Sequence, residues 1–264
     1  MGESAKRIQE LQQRVARLAG RGQDRETALF QLGHADADGF LGGGLGRGRL
    51  HEIFVTHAGE AGSGAGFAAM LARRALEADA ALLWLRTDRA GGLGGGLYAP
   101  GLAEIGIDVG SLILGLAPDE AALLRSAVDA ARCPALGAVV IDCPGPARLL
   151  DLTASRRLAL AAEKSGVTLL LLRGEAEPVA SAAETRWLVG AAPSDVLAAN
   201  APGRTMLDVE LQRRRGGPAG RRWRVEWDRD EMCFRDPALP RPVVSLPARR
   251  PAGDRASQEW RLTA

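Results

Sequence analysis

The chain has 264 residues, enough for one large domain or two small ones whose core needs no disulfide support. Hydrophobic residues make up 46% and charged residues 25%, as in ordinary globular proteins, and a formal net charge of +2 is too small to argue nucleic-acid binding on its own. No run of about 18 apolar residues is present to span a membrane, and the opening MGESAKRIQELQQR lacks the apolar core of a signal peptide, so a cytoplasmic protein is expected.

Residues 6 to 19 read as a helix, with Ile8, Leu11, Val15 and Leu18 at 3-4-3 spacing among polar residues. That stripe either packs on its own domain or docks on another chain. Glycines and charges over 20–26 look like a hinge, and GFLGGGLGRGR (39–49) reads as a loop leading into the first strand.

From residue 50 the chain alternates in the βαβ manner. Apolar runs at Leu50–Val55, Ala81–Leu85, Leu112–Gly115, Ala138–Asp142 and Thr168–Leu172 are mostly continuous, as in strands covered on both faces. Helical stretches lie at about Phe67 to Glu77, at Asp119–Arg132 (with Leu124, Val128 and Ala131 on one face) and at Thr153–Ser165, the last stopped by Gly166. Short crossovers of this kind predict an α/β, doubly wound sheet with parallel core strands.

After residue 173, GEAEPVASAAE reads as a loop. Thr185–Val189, Thr205–Gln212 and Arg222–Trp227 then resemble antiparallel edge strands, the last two joined by RRRGGPAGR. From Arg235 the chain is rich in Pro and Arg and is expected to be extended or disordered. The organisation is therefore an N-terminal helix and linker (1–26), a core domain (27–234) and a tail (235–264).

Between the first strand and the helix after it lies GEAGSGAG, residues 59 to 66. Its Gly59 and Gly64 keep the spacing of a phosphate-cradling loop, G-x-x-x-x-G-K-[ST]. Such a loop needs backbone N–H groups freed by glycine, a lysine on the terminal phosphates and a hydroxyl for magnesium. Only the glycines remain, because Ala65 stands at the lysine position and Gly66 at the hydroxyl position. Lys6 and Lys164 are the only lysines, and both lie far from the loop in sequence. Asp142 ends an apolar strand in GAVVIDCPG, where such folds keep their magnesium-side acid. The pattern predicts a degenerate nucleotide loop with no catalytic residues, no cofactor and no metal. A rival reading takes Gly64-x-Gly66-x-x-Ala69 as a dinucleotide fingerprint with Asp88 as the ribose acid. That fingerprint normally begins at the strand end, and here residues 56 to 63 intervene. Cys133, Cys143 and Cys233 form no C-x-x-C pair, and His34, His51 and His57 are unclustered, which suits reduced, incidental thiols.

LGHADADGFLGGGLGRGRLHEIF, ALLWLRTD and GAVVIDC, taken in order, resemble RecA-type recombinases over roughly residues 29 to 173. Asp88 falls at or beside the catalytic glutamate of those enzymes, and Asp142 at their magnesium-side aspartate. The lysine and threonine are absent, as is a glutamine after Leu172. A RecA-like domain without these groups that carries LYAPGLAEIGI, LDLTASRRLALAAEKSGVTLLLLR, SAAETRWLV and RRWRVEW is similar to the ImuA family. The resemblance implies an accessory factor of SOS-induced translesion synthesis, acting through RecA and ImuB and indirectly with the error-prone DnaE-type polymerase. A divergent ATPase and a SulA-like cell-division inhibitor are the alternatives, although the SulA family is shorter.

Three segments are candidate binding surfaces. One is the helix with Ile8, Leu11, Val15 and Leu18, placed like the docking helix of RecA protomers. The second is the tail, where Val243, Val244, Leu246, Trp260 and Leu262 are apolar anchors among prolines and arginines. The third is the basic stretch with Arg213, Arg214, Arg215, Arg221 and Arg222, a candidate for weak, salt-sensitive DNA binding with Trp223 stacking on a base. Its other reading is a charged hairpin that discourages sheet aggregation.

Overall fold

A computed structural model describes residues 28–55, 57–78, 80–87, 96–194 and 203–237. The helix expected over 6–19, Asp88, and the tail anchors Val243, Val244, Leu246, Trp260 and Leu262 lie outside the described residues. Two short strands, β1 (Leu29–Phe30) and β2 (Leu45–Gly46), pair antiparallel around helix α1 (Ala35–Phe40). His34 caps that helix by accepting from the Ala37 amide at 3.2 Å, and Asp38 folds back to accept from Leu32 and Gly33. The glycine-rich stretch 39–49 is therefore more than a loop, since it closes α1 and supplies β2. Gly44, at φ +130°, is needed there because a Cβ would lie 2.3 Å from the Phe30 carbonyl oxygen.

The apolar runs build a nine-stranded sheet from β3 (Leu50–Val55), β4 (Ala81–Thr87), β5 (Leu112–Ala117), β6 (Leu136–Asp142), β7 (Thr168–Arg173), β8 (Thr185–Ala191), β9 (Met206–Arg214), β10 (Arg221–Asp228) and β11 (Cys233–Arg235). Their order is β11-β10-β9-β8-β3-β7-β6-β4-β5. The strands from β8 to β5 run parallel, and β9, β10 and β11 are antiparallel. One expectation changes here. Strand β8, read as antiparallel, lies parallel to β3, because the 174–184 segment carries the chain from β7 across to the other side of β3.

Helices α2 (Ala61–Ala75) and α3 (Ala99–Ile105) cover one face, and α4 (Glu120–Ala131) and α5 (Leu152–Ser165) the other. Strand β7 shows why its run is continuous: Leu170 and Leu172 enter the α2 core while Leu169 and Leu171 enter the α4–α5 core. Asp119 and Asp151 cap α4 and α5, each accepting an amide at 2.7 Å, and Gly166 ends α5 in the left-handed region at φ +79°. On α4 the fully buried face is Leu123, Ala127, Ala130 and Ala131, with Leu124 and Val128 at its margin. At the outer edge, β5 leaves Ile113, Leu114 and Leu116 half exposed. No helix among the described residues is long and apolar enough to cross a membrane.

Candidate functional site

The C-terminal ends of β3, β4, β6 and β7 surround a cavity of about 400 Å³, the usual ligand position in an open α/β sheet. Ala65 and Gly66 of α2, Trp84 and Arg86 of β4, Asp142 of β6 and Trp227 of β10 contribute to its walls, and α3 forms another side.

The glycine loop does not wrap this cavity. A single 3₁₀ turn, Ala58–Glu60, runs straight into α2, which begins at Ala61 rather than near Phe67. Gly62, Gly64 and Gly66 are thus helical, and beyond the first turn their amides are committed to the helix ladder. Gly64 and Gly66 therefore offer no free N–H to a phosphate, while the amides of Ala61, Gly62 and Ser63 lie in the first turn, where the helix itself supplies no partner. The physical reason is tertiary. A Cβ on Gly64 would lie 2.4 Å from Val55 Cγ1 and 3.0 Å from Leu172 Cδ1, so this glycine serves close packing of helix on sheet. Gly59 sits in the 3₁₀ turn. Glu60, the N-cap residue of α2, makes no side-chain hydrogen bond to the helix amides and turns toward β8 instead. The Glu60 carboxylate accepts from the Ala191 amide at the end of β8 and lies 3.5 Å from His57 Nε2.

Asp142 lies at the cavity, facing Arg86 across the β4–β6 register. Arg86 Nη2 lies 3.5 Å from Asp142 Oδ2, and both side chains are largely buried. Burial pushes the Asp142 carboxyl above the usual carboxylate range, opposed by Arg86 and by the Trp84 indole. Sequence reasoning missed Arg86. Its signal was a lone charge at the end of the apolar strand ALLWLRT. The next residue, Cys143, is a buried free thiol raised to about 11 by burial, which leaves it unreactive near neutral pH.

Restoring the two missing side chains tests how far the site has drifted. The double variant Ala65→Lys, Gly66→Thr is expected to release no phosphate from ATP above background, because the loop is helical and Asp142 is bound to Arg86. Gly66 has open space around its Cβ position, so the protein should stay folded. Measurable turnover in a phosphate-release assay would contradict this.

The arginines read as DNA candidates do not form one cationic tip. Arg213 donates to the carbonyls of Ser181 and Ala183 at 3.1 and 2.8 Å, and Arg214 to those of Phe40 and Leu41. Arg221 pairs with Asp36 at 2.6 Å and lies over Phe40 and Trp223, while Arg222 pairs with Glu210 at 2.7 Å. Arg215 is exposed. Trp223, a candidate for base stacking that strand alternation more often buries, is buried and donates its indole N–H to Asp36 at 2.6 Å.

No family model matches the chain. The chain is 36% identical over 216 residues to Protein ImuA of Caulobacter vibrioides (strain NA1000 / CB15N), a match covering 74% of this chain and 82% of that protein. Protein ImuA of a second Caulobacter vibrioides strain (ATCC 19089 / CIP 103742 / CB 15) matches equally. Among solved structures, the fold is similar to that of the RadB recombinase, with a TM-score of 0.52 and 15% identity over 79% of this chain and 99% of that one.

Proposed function

The chain belongs to the ImuA family, and from that premise we propose that it is a non-catalytic accessory protein of SOS-induced, error-prone translesion DNA synthesis that binds RecA and the ImuB subunit of the mutasome. Its fold is RecA-like, in keeping with the likeness to a recombinase. The observation that carries the non-catalytic reading is the start of α2 at Ala61, inside the stretch that would have to wrap a phosphate. The other groups at the site agree with it. Ala65 offers no cation to the cavity, and Asp142 is engaged by Arg86. A fold that keeps its packing after losing its chemistry can still present surfaces, and binding is the work left to it.

The proposal predicts that immobilised full-length protein retains both RecA and ImuB from purified solutions. Deleting residues 1–24 should release RecA if the stripe of Ile8, Leu11, Val15 and Leu18 docks there. Truncation after residue 237 leaves every described strand intact and should weaken binding if the tail anchors engage a partner. Failure of the full-length protein to retain either partner would refute the reading.

A further inference from the structure

We propose that the groove between α5 and the end of β9 docks an acidic, amphipathic helical segment of a partner protein. Helix α5 buries Ser155, Leu158, Ala161, Ala162 and Ser165 against the sheet. On its other side Leu152, Arg156 and Leu160 follow one another at four-residue spacing, forming an exposed ridge about 12 Å long. Leu160 is 65% exposed, on the side of the helix away from the core.

This ridge is one wall of a groove of about 520 Å³, and the facing wall is the 181–183 segment with Arg213, Arg214 and Arg215. Four arginines therefore line it, counting Arg156, and the one acid among its lining residues is Glu163. That carboxylate is taken by Arg49, which also lies 3.3 Å from Glu184. Arg213 is pinned to the carbonyls of Ser181 and Ala183, which fixes its charge on the groove side with Glu52 only partly offsetting it, whereas Arg214 sends its guanidinium to the carbonyls of Phe40 and Leu41 beside α1. Burial and the neighbouring Arg186 and Arg215 pull the Arg213 guanidinium below its ordinary range, as expected where like charges are held together. Arg156 and Arg215 are exposed and form no ion pair among the described residues.

Charge complementarity thus asks for an anionic occupant, and the leucines ask for one with apolar side chains. A helix with apolar residues at i, i+4 and i+8 and carboxylates beside them answers both demands. Single-stranded nucleic acid answers only the first, because no aromatic side chain lines the groove to stack a base. The inference concerns this face alone, so it can fail while the reading of the nucleotide site stands, and the reverse.

The test uses the full chain and a fluorescein-labelled amphipathic helix of about 14 Leu and Glu residues. A scrambled peptide of the same composition and a labelled oligothymidine serve as comparators. Anisotropy should show saturable, salt-weakened binding of the helical peptide. The exposed-site variants Leu160→Glu, Arg156→Glu and Arg215→Glu should each lose about tenfold in affinity while melting like the parent. The proposal is overturned if the helical peptide binds no better than the scrambled one, or if none of the three variants weakens it. Preferential binding of oligothymidine with loss in the same variants would assign the groove to nucleic acid instead.

Discussion

Replacing Asp142 by alanine should lower stability by about 3 kcal/mol, whereas Arg86→Met combined with Asp142→Leu should recover most of that loss. In a working NTPase the corresponding acid serves magnesium, and its removal costs activity. Here Asp142 lies beside Arg86, a largely buried cation. Removing the acid takes a carboxylate from that cation, and removing both charges eliminates the desolvation of each. Urea unfolding of the two variants reads the difference directly. A neutral Asp142→Ala would show that the pair is not structural and that the acid is kept for a ligand.

The same residue gives a pH signature. Its folded carboxyl is raised above its unfolded value, so the native state holds the proton longer. The stability tied to that proton is fully present below about pH 4 and is lost as pH rises through the elevated folded value. The variant Asp142→Asn cannot titrate at this position. Across that window its stability should therefore fall less with rising pH than the parent's.

Gly64→Leu should cost about 3 kcal/mol or more, while Gly62→Ala and Gly66→Ala should each stabilise by up to about 1 kcal/mol. Any side chain at 64 drives its Cβ into Val55, a stiff β-branched residue on the central strand, and toward Leu172. Positions 62 and 66 have nothing within 4 Å of a Cβ and lie in a helix, where alanine is the better residue. A true phosphate loop would respond differently, because alanine disfavours the open backbone such a loop requires. Destabilisation by both alanine variants, measured by thermal or urea unfolding, would contradict a helix at this position.

Much of the architecture was legible in the sequence because the period of the apolar residues carries it. The runs of β3, β6 and β7, the aspartate caps of α4 and α5, and Gly166 at the end of α5 all announce themselves locally. What stayed hidden is decided by contacts between distant segments. The spacing of Gly59 and Gly64 is the same whether the chain wraps a phosphate or enters a helix, and Val55 and Leu172 select the helix. The direction of β8 depends on which side of β3 the 174–184 segment delivers it, which no periodicity encodes. Arg213 and Arg214 look like free cations in sequence and are fixed to carbonyls in the fold. Arg86 was visible as an anomaly in an apolar strand, and its meaning required the cross-strand partner Asp142.

The central proposal is that the cavity beside α2 takes no nucleotide. The most direct measurement is a thermal unfolding titration of the full chain with ATP–Mg²⁺, with ADP and NAD run in parallel. The account predicts an unchanged midpoint with every one of them. A ligand-dependent rise reaching about 2.7 kcal/mol at a hundred times the dissociation constant would contradict it.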